Sequence, residues 1–207
     1  MSDSARRTAL TLLATIYAFG FIDRVVIALV AQQLKADFSI SDLEIGLLGG
    51  TAFAFVNAFA GLPVARLAER FSRKWITTGA LVFASSFTAL CAVTGSFAQL
   101  LVLRLGMAVG SAGIESPSHS MISDMYSPEK RASAMSLLML GIPIAALTGS
   151  ALGGTVAELY GWRATFLAAG GLGILVAVVS MVLVREPVRA SAGTDEKVES
   201  IGAVAKT

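Results

Sequence analysis

Residues 65–75, ARLAERFSRKW, place Arg66, Glu69, Arg70, Arg73 and Lys74 between two apolar segments that are each long enough to cross a bilayer. A spanning helix needs about 20 apolar residues, and Lys and Arg in a short connecting loop resist translocation. The loop therefore lies on the cytoplasmic side and sets the orientation of the segments attached to it. Charged residues are only 14% of the chain, against roughly 25% in a soluble domain, which makes this an integral membrane protein. The net charge of +2 resides mainly in loops, where topology explains it better than nucleic-acid binding. Cys91 is the single cysteine, so an internal disulfide and a cysteine-based metal site are excluded and a packing role is expected.

Taken in order, residues 1–7 are a polar cytoplasmic N-terminus, and an apolar segment over about 8–31 forms helix 1, with no small-residue cleavage site to mark a signal peptide. Asp23 and Arg24 interrupt that segment. Thr8 to Ile22 covers only ~22 Å of a core about 30 Å thick, which puts both charges inside the membrane, in its outer third. Residues 32–42 read as a polar loop, and Ser41 with Glu44 has the spacing of a capping box opening helix 2 at about Leu43. Helix 2 is expected to reach about Val64, helix 3 to cover 75–93, helix 4 97–121, helix 5 132–156 and helix 6 164–184. Ser127 is an expected N-cap with Pro128 in the first turn. The membrane bundle is bounded at 8–187, and 188–207 forms a polar cytoplasmic tail with no apolar face to bury.

Arg6, Arg7, Arg66, Arg70, Arg73, Lys74, Lys130, Arg131, Arg185 and Arg189 all fall on the side of the basic loop, and only Lys35 and Arg163 fall opposite. Both termini are thereby expected in the cytoplasm. The loop after helix 2 also matches the loop after helix 5: Ala65, Leu67, Ala68, Glu69, Phe71, Ser72 and Lys74 align with Gly154, Val156, Ala157, Glu158, Tyr160, Gly161 and Arg163. Two three-helix groups of opposite orientation would place those loops equivalently on opposite faces.

The 65–74 loop resembles the signature G-x-L-A-D-R-x-G-R-[RK] between helices 2 and 3 of the major facilitator superfamily. Leu67, Ala68, Arg70, Arg73 and Lys74 match it, while Ala65, Glu69 and Ser72 replace Gly, Asp and Gly. The segments FIDRVVIA (21–28), SDLEIGLL (41–48), LRLGMAVGSAGIESPSHSMISDMYSPEKR (103–131) and GWRATF (161–166) resemble the spinster-like branch. The resemblance covers about residues 8–187. It implies an all-α membrane fold of six transmembrane helices, the N-terminal half bundle of that superfamily, built as a 3+3 inverted repeat. Family members usually carry twelve spans, so a second copy of the chain or a separate C-terminal half is the expected partner, alongside the lipid bilayer and a small-molecule substrate.

Ionisable residues inside a span usually face a cavity or a partner. Asp23 and Arg24 on helix 1 and Arg104 on helix 4 lie at similar depth, so an Asp23–Arg104 contact is feasible, with Arg24 left for an anionic substrate or a partner acid. The alternative is a static pair that locks two helices. In spinster-like proteins the corresponding residues are associated with proton coupling and substrate binding, whereas the Glu that the branch usually has seven positions after the helix 4 Arg is Ser111 here. Glu115, one turn further on, either compensates or balances Arg70 or Arg73 at the membrane surface. His119, the single histidine, sits between serines at a helix end and reads as solvated, and Pro117 and Pro143 are expected to kink their helices. Ala145, Gly149 and Gly153, with Gly141, form a smooth stripe on helix 5 for close helix packing. By resemblance, Glu69, Arg70, Arg73 and Lys74 form a conformational latch between two halves.

These residues imply a secondary transporter for a small organic or amphipathic anion working by alternating access, with proton coupling placed in question by Ser111. The alternative is a non-transporting half-protein that acts only with a partner half or as a scaffold. No nucleotide-binding glycine loop, metal pair or nucleophile–base constellation is visible, so neither an enzyme nor a cofactor is expected. The inner (plasma) membrane is the expected location. A fluorescent reporter that matures only in the cytoplasm, fused after Thr207, is expected to be bright, and a periplasm-dependent phosphatase at the same place inactive; the reverse pattern would invert the topology.

Overall fold

The computed structural model describes residues 3–183, with side chains from residue 6 onward. The expected end of the bundle at 187 and the tail at 188–207, with Arg185 and Arg189, lie outside the described residues.

Within them the chain forms six helices. α1 is Asp3–Phe38, α2 is Asp42–Arg70, α3 is Arg73–Cys91 and α4 is Phe97–Met125. The remaining helical run, Pro128–Leu183, is too long for one span and divides at Gly161 (φ 80°, ψ 174°) into α5 (128–160) and α6 (162–183). A positive φ costs glycine nothing and other residues substantially, so glycine at 161 lets the chain turn here without a loop.

Local chemistry fixes the ends. Ser41 and Glu44 form the expected capping box, with Ser41 N–H donating to Glu44 Oε2 at 2.8 Å. Ser72 and Ser96 cap α3 and α4 by accepting from Trp75 N–H and Gln99 N–H. Ser127 is the N-cap of α5 and Pro128 lies in its first turn. A turn at Leu140 divides α5, because Pro143 has no N–H to donate to the Met139 carbonyl. α4, by contrast, is continuous through Pro117.

Several boundaries differ from the sequence reading: α3 covers 73–91 and α5 128–160, where 75–93 and 132–156 were expected. α2 continues to Arg70 and α4 to Met125, beyond the apolar stretches. α1 runs seven residues past Ala31, so the expected 32–42 loop shrinks to the turn at Ser39, whose φ of 52° ends the helix. The physical reason is tertiary: the polar residues of that last stretch are held by the α5–α6 corner. Gln33 Nε2 donates to the Ala157 carbonyl at 2.8 Å, and Asp37 Oδ2 accepts from Trp162 Nε1 (2.8 Å) and Arg163 Nη1 (3.0 Å). At 36 residues, α1 is ~54 Å long and projects beyond the hydrocarbon core.

α1 packs on α5, α4 on α3 and α2, and α3 on α6. The helix 5 stripe finds its neighbour in α1: a Cβ at Gly141 would lie 2.7 Å from the Ala14 carbonyl oxygen, and Gly149 faces Ile22 and Val25. The buried apolar residues form two clusters. One holds Val26, Val30, Leu34, Trp162 and Phe166, and the other Leu13, Ile16, Ile114, Met121 and Leu138. Asp23 and Arg24 fall where α1 passes from one cluster to the other. The bundle thus presents a charged layer between two apolar ones.

At the α3–α6 crossing a Cβ on Gly170 would stand 2.5 Å from Ala89 N and 2.6 Å from the Ser85 carbonyl oxygen, whereas Gly171 has open space. Gly170→Val is expected to cost about 1–3 kcal/mol through overpacking, and Gly171→Val less than about 1 kcal/mol. Unfolding midpoints of the two variants in one detergent check the difference.

Candidate functional site

The charged layer is built from α1, α2 and α4. Arg104 is fully buried at 0% exposure and Asp23 nearly so at 5%, and their Arg104 Nη1 to Asp23 Oδ2 distance is 3.1 Å. The same Nη1 approaches the Asp23 backbone carbonyl at 3.4 Å, and Arg104 Nε donates to the Leu48 carbonyl at 3.0 Å. That carbonyl belongs to Leu47–Thr51, a π-helical turn within α2. Wider turns of this kind disturb the ordinary α-helical ladder and concentrate at functional sites. Among the described residues, Asp23 Oδ1 and Arg104 Nη2 are buried with no hydrogen-bond partner.

Arg24 is turned away from Arg104 and pairs with Glu115 at 3.0 Å, both partly exposed. The ring of Phe53, buried on α2, lies close to both cations: the Arg24 guanidinium carbon stands 4.8 Å from the ring centroid and that of Arg104 5.0 Å. An aromatic face attracts a cation, so one phenyl ring accommodates two like charges that would otherwise repel. Phe21 offers Arg24 a second face at 5.0 Å. The layer therefore contains two acid–base pairs in sequence, a buried one and a partly open one.

Sequence reasoning brought Asp23, Arg24 and Arg104 to one level, and the structure groups them. Two readings are corrected. Glu115 does not balance Arg70 or Arg73; it is the acid that faces Arg24. His119 is not a solvated end residue: its ring stacks on Tyr17 with centroids 5.8 Å apart, and its Nε2 is buried. Ser111 is buried one turn from Glu115.

At the α2–α3 corner the four residues expected to form a latch have different surroundings. Arg73, 4% exposed, forms an ion pair with Asp124 at 2.6 Å and donates to Ser120 Oγ at 2.8 Å. Glu69 and Arg70 are exposed, and Lys74 lies over the Trp75 ring at 5.3 Å. A cleft of about 360 Å³ lies between Glu69, Arg73, Ser116 and Asp124.

Sequence reasoning missed Asp124, Phe53 and the Leu48 carbonyl. Asp124 was findable as an acid in the last turn of α4, beside a basic loop. The paired glycines of LLGGT (47–51) were a weak sign of an irregular turn, and nothing in the sequence distinguished Phe53 from any other core aromatic.

Comparison with known proteins fits this geometry. The Major Facilitator Superfamily model matches residues 13–206. The chain belongs to the major facilitator superfamily. A solved bacterial homolog of the human lysosomal transporter spinster, inward-facing and unoccupied, superposes with a TM-score of 0.83 at 32% identity, covering 96% of this chain and 47% of that one. An MFS-type efflux pump of Mycolicibacterium smegmatis is 29% identical over 85% of this chain and 41% of its own length. The gentisate transporter of Corynebacterium glutamicum is 31% identical over 80% of this chain and 38% of its own. This major facilitator chain thus spans less than half the length of these relatives, and its described helices carry the spinster-like half bundle.

Phe53→Leu removes the ring face from both guanidiniums and is expected to cost about 1–3 kcal/mol. Glu115→Gln breaks a partly exposed pair and is expected to cost under about 1 kcal/mol. Denaturant midpoints in detergent micelles give the order; equal losses would show that the ring does not mediate between the cations.

Proposed function

We propose that this bundle is one half of a secondary transporter that moves a small organic or amphipathic anion by alternating access, with protons coupled through Asp23. The observation that carries the reading is the buried Asp23–Arg104 pair, with one unpartnered polar atom on each member. An isolated charge is costly in a membrane interior, so the two groups hold each other only while nothing better competes. A carboxylate arriving beside Arg104 competes with Asp23 for the guanidinium, and protonation of Asp23 lowers its hold on the cation. Either event frees an arginine for an anion, and both together couple proton and anion occupancy. The Arg24–Glu115 pair, open on the cytoplasmic side of this layer, is the first cation an anion would meet from that side.

The path requires a second six-helix half. α2 displays Phe55, Phe59 and Leu62 on one exposed face at 64%, 72% and 70%. These three fall on one helix face, and an aromatic ridge of this kind beside the charged layer suits a packing partner.

The test is uptake by the full chain in proteoliposomes under an imposed inward proton gradient, with gentisate and other small carboxylates as probes. Gradient-driven uptake is expected, with Asp23→Asn and Arg104→Ala each lowering the rate at least about tenfold, a loss of about 1.4 kcal/mol or more in the transport barrier. Uptake indifferent to both substitutions would overturn the proposal that Asp23 and Arg104 couple proton and anion, and absent uptake would overturn the reading that copies of this chain suffice to build the path.

A further inference from the structure

A cleft of about 470 Å³ runs along α1 between α5 and α6. Its floor includes Ala14, Ala18 and Ile22, and its walls include Ile144, Thr148 and Leu152 of α5 and Ala168 of α6. α6 lines it only through residues 165–172, whereas α5 lines it from 137 to 156. The cleft therefore continues along α5, away from the Gly161 corner, beyond the reach of α6. From Thr11 to Val26 its floor extends ~22 Å along the helix, more than one leaflet of a core about 30 Å thick.

The lining has a specific chemical character. Four threonines border the cleft, and each hydroxyl donates to a backbone carbonyl of its own helix: Thr11 to Arg7 (3.1 Å), Thr15 to Thr11 (2.9 Å), Thr148 to Ile144 (2.7 Å) and Thr165 to Gly161 (3.1 Å). With those donors spent, the walls present mainly methyl groups, alanine and aliphatic side chains. Such a cleft has no means of orienting a polar solute and suits a hydrocarbon chain.

Its open end is different. Arg7 lies one turn below Thr11 on α1, and Lys130 lies two turns below Leu137 on α5; both are exposed. Residues at these spacings share a helix face with the lining residue above them. The two helices are adjacent here, since the Arg6 guanidinium carbon sits 5.6 Å from the Tyr126 ring centroid, just before α5 begins. Glu129 is the neighbouring acid, and Ser127 hydrogen-bonds its carboxylate. A hydrocarbon slot longer than one leaflet, with two exposed cations beyond its Thr11 end, has the two-part chemistry of an anionic phospholipid.

We infer that this cleft is a binding site for one anionic phospholipid of the cytoplasmic leaflet, its acyl chain lying between α5 and α6 over α1 and its phosphate between Arg7 and Lys130. The inference is independent of transport. The lipid fills a gap left by the small residues of three helices and ties the start of α1 to the start of α5.

The test is native mass spectrometry of the full chain released from micelles, titrated separately with phosphatidylglycerol and phosphatidylcholine of identical acyl chains. One phosphatidylglycerol per chain is expected to bind at least about tenfold more tightly than phosphatidylcholine. Arg7→Gln and Lys130→Gln are each expected to weaken it roughly fivefold, with phosphatidylcholine unaffected. Thr148→Phe and Ala168→Phe, which fill the cleft from exposed wall positions, are expected to abolish the tight site while the unfolding midpoint stays within a few degrees. Equal retention of the two lipids would overturn the inference, as would tight phosphatidylglycerol binding that survives both Phe substitutions. A second copy of the chain occupying the cleft, seen as a dimer lost in the Phe variants, would overturn it too.

Discussion

The guanidinium of Arg104 is the group on which the arrangement of this bundle depends. A charge with no solvent contact costs several kcal/mol unless it is compensated, and here Nε and Nη1 are engaged by the Leu48 carbonyl in the π turn of α2 and the Asp23 carboxylate on α1, the face of Phe53 lies near the guanidinium, and Nη2 stays unpartnered. One side chain on α4 thus fixes the rotation of α1 and α2 at the same level. The irregularity of α2 follows from the same demand, since a regular α-helical ladder already engages each interior carbonyl. Arg24 pairs instead with Glu115, with the Phe53 ring near both cations.

Two further polar attachments hold the ends. On one side Asp37 joins the last turn of α1 to Trp162 and Arg163 at the α5–α6 corner. On the other, Arg73 joins the start of α3 to Asp124 and Ser120 on α4. The two corners that match in sequence, 65–74 and 154–163, stand at opposite ends of the bundle, and each supplies an arginine to an aspartate near the end of α4 or α1. The apolar clusters between these attachments supply packing without directional preference, so orientation within the membrane interior is set by the few polar contacts.

The number and order of the helices were legible because each rests on composition along the chain: apolar length, polar loops and serine caps. The depth of Asp23, Arg24 and Arg104 was legible for the same reason, since residue count gives distance along a helix. What the sequence did not reveal was azimuth. Which way Glu115 points, and so which arginine it serves, depends on the rotation of α4 against α1. That rotation is fixed by contacts such as Gly110 on Ala84 and Arg104 on Leu48. The polar extension of α1 was hidden for a related reason: Gln33 and Asp37 look like loop residues until a corner more than a hundred residues later supplies their partners. Phe53 was indistinguishable from other buried aromatics because its role comes entirely from the two cations that flank it.

The central claim is that Asp23 and Arg104 stabilise one another inside the bundle, and a double-mutant cycle measures this directly. Unfolding free energies would be compared for the native chain, Asp23→Asn, Arg104→Met and the double variant under one set of micelle conditions. Removing one partner leaves a buried charge uncompensated, so each single change should cost about 3–5 kcal/mol while the double change costs no more than either. Losses that add to within about 0.5 kcal/mol would contradict the account, because they would show that the two groups do not depend on each other.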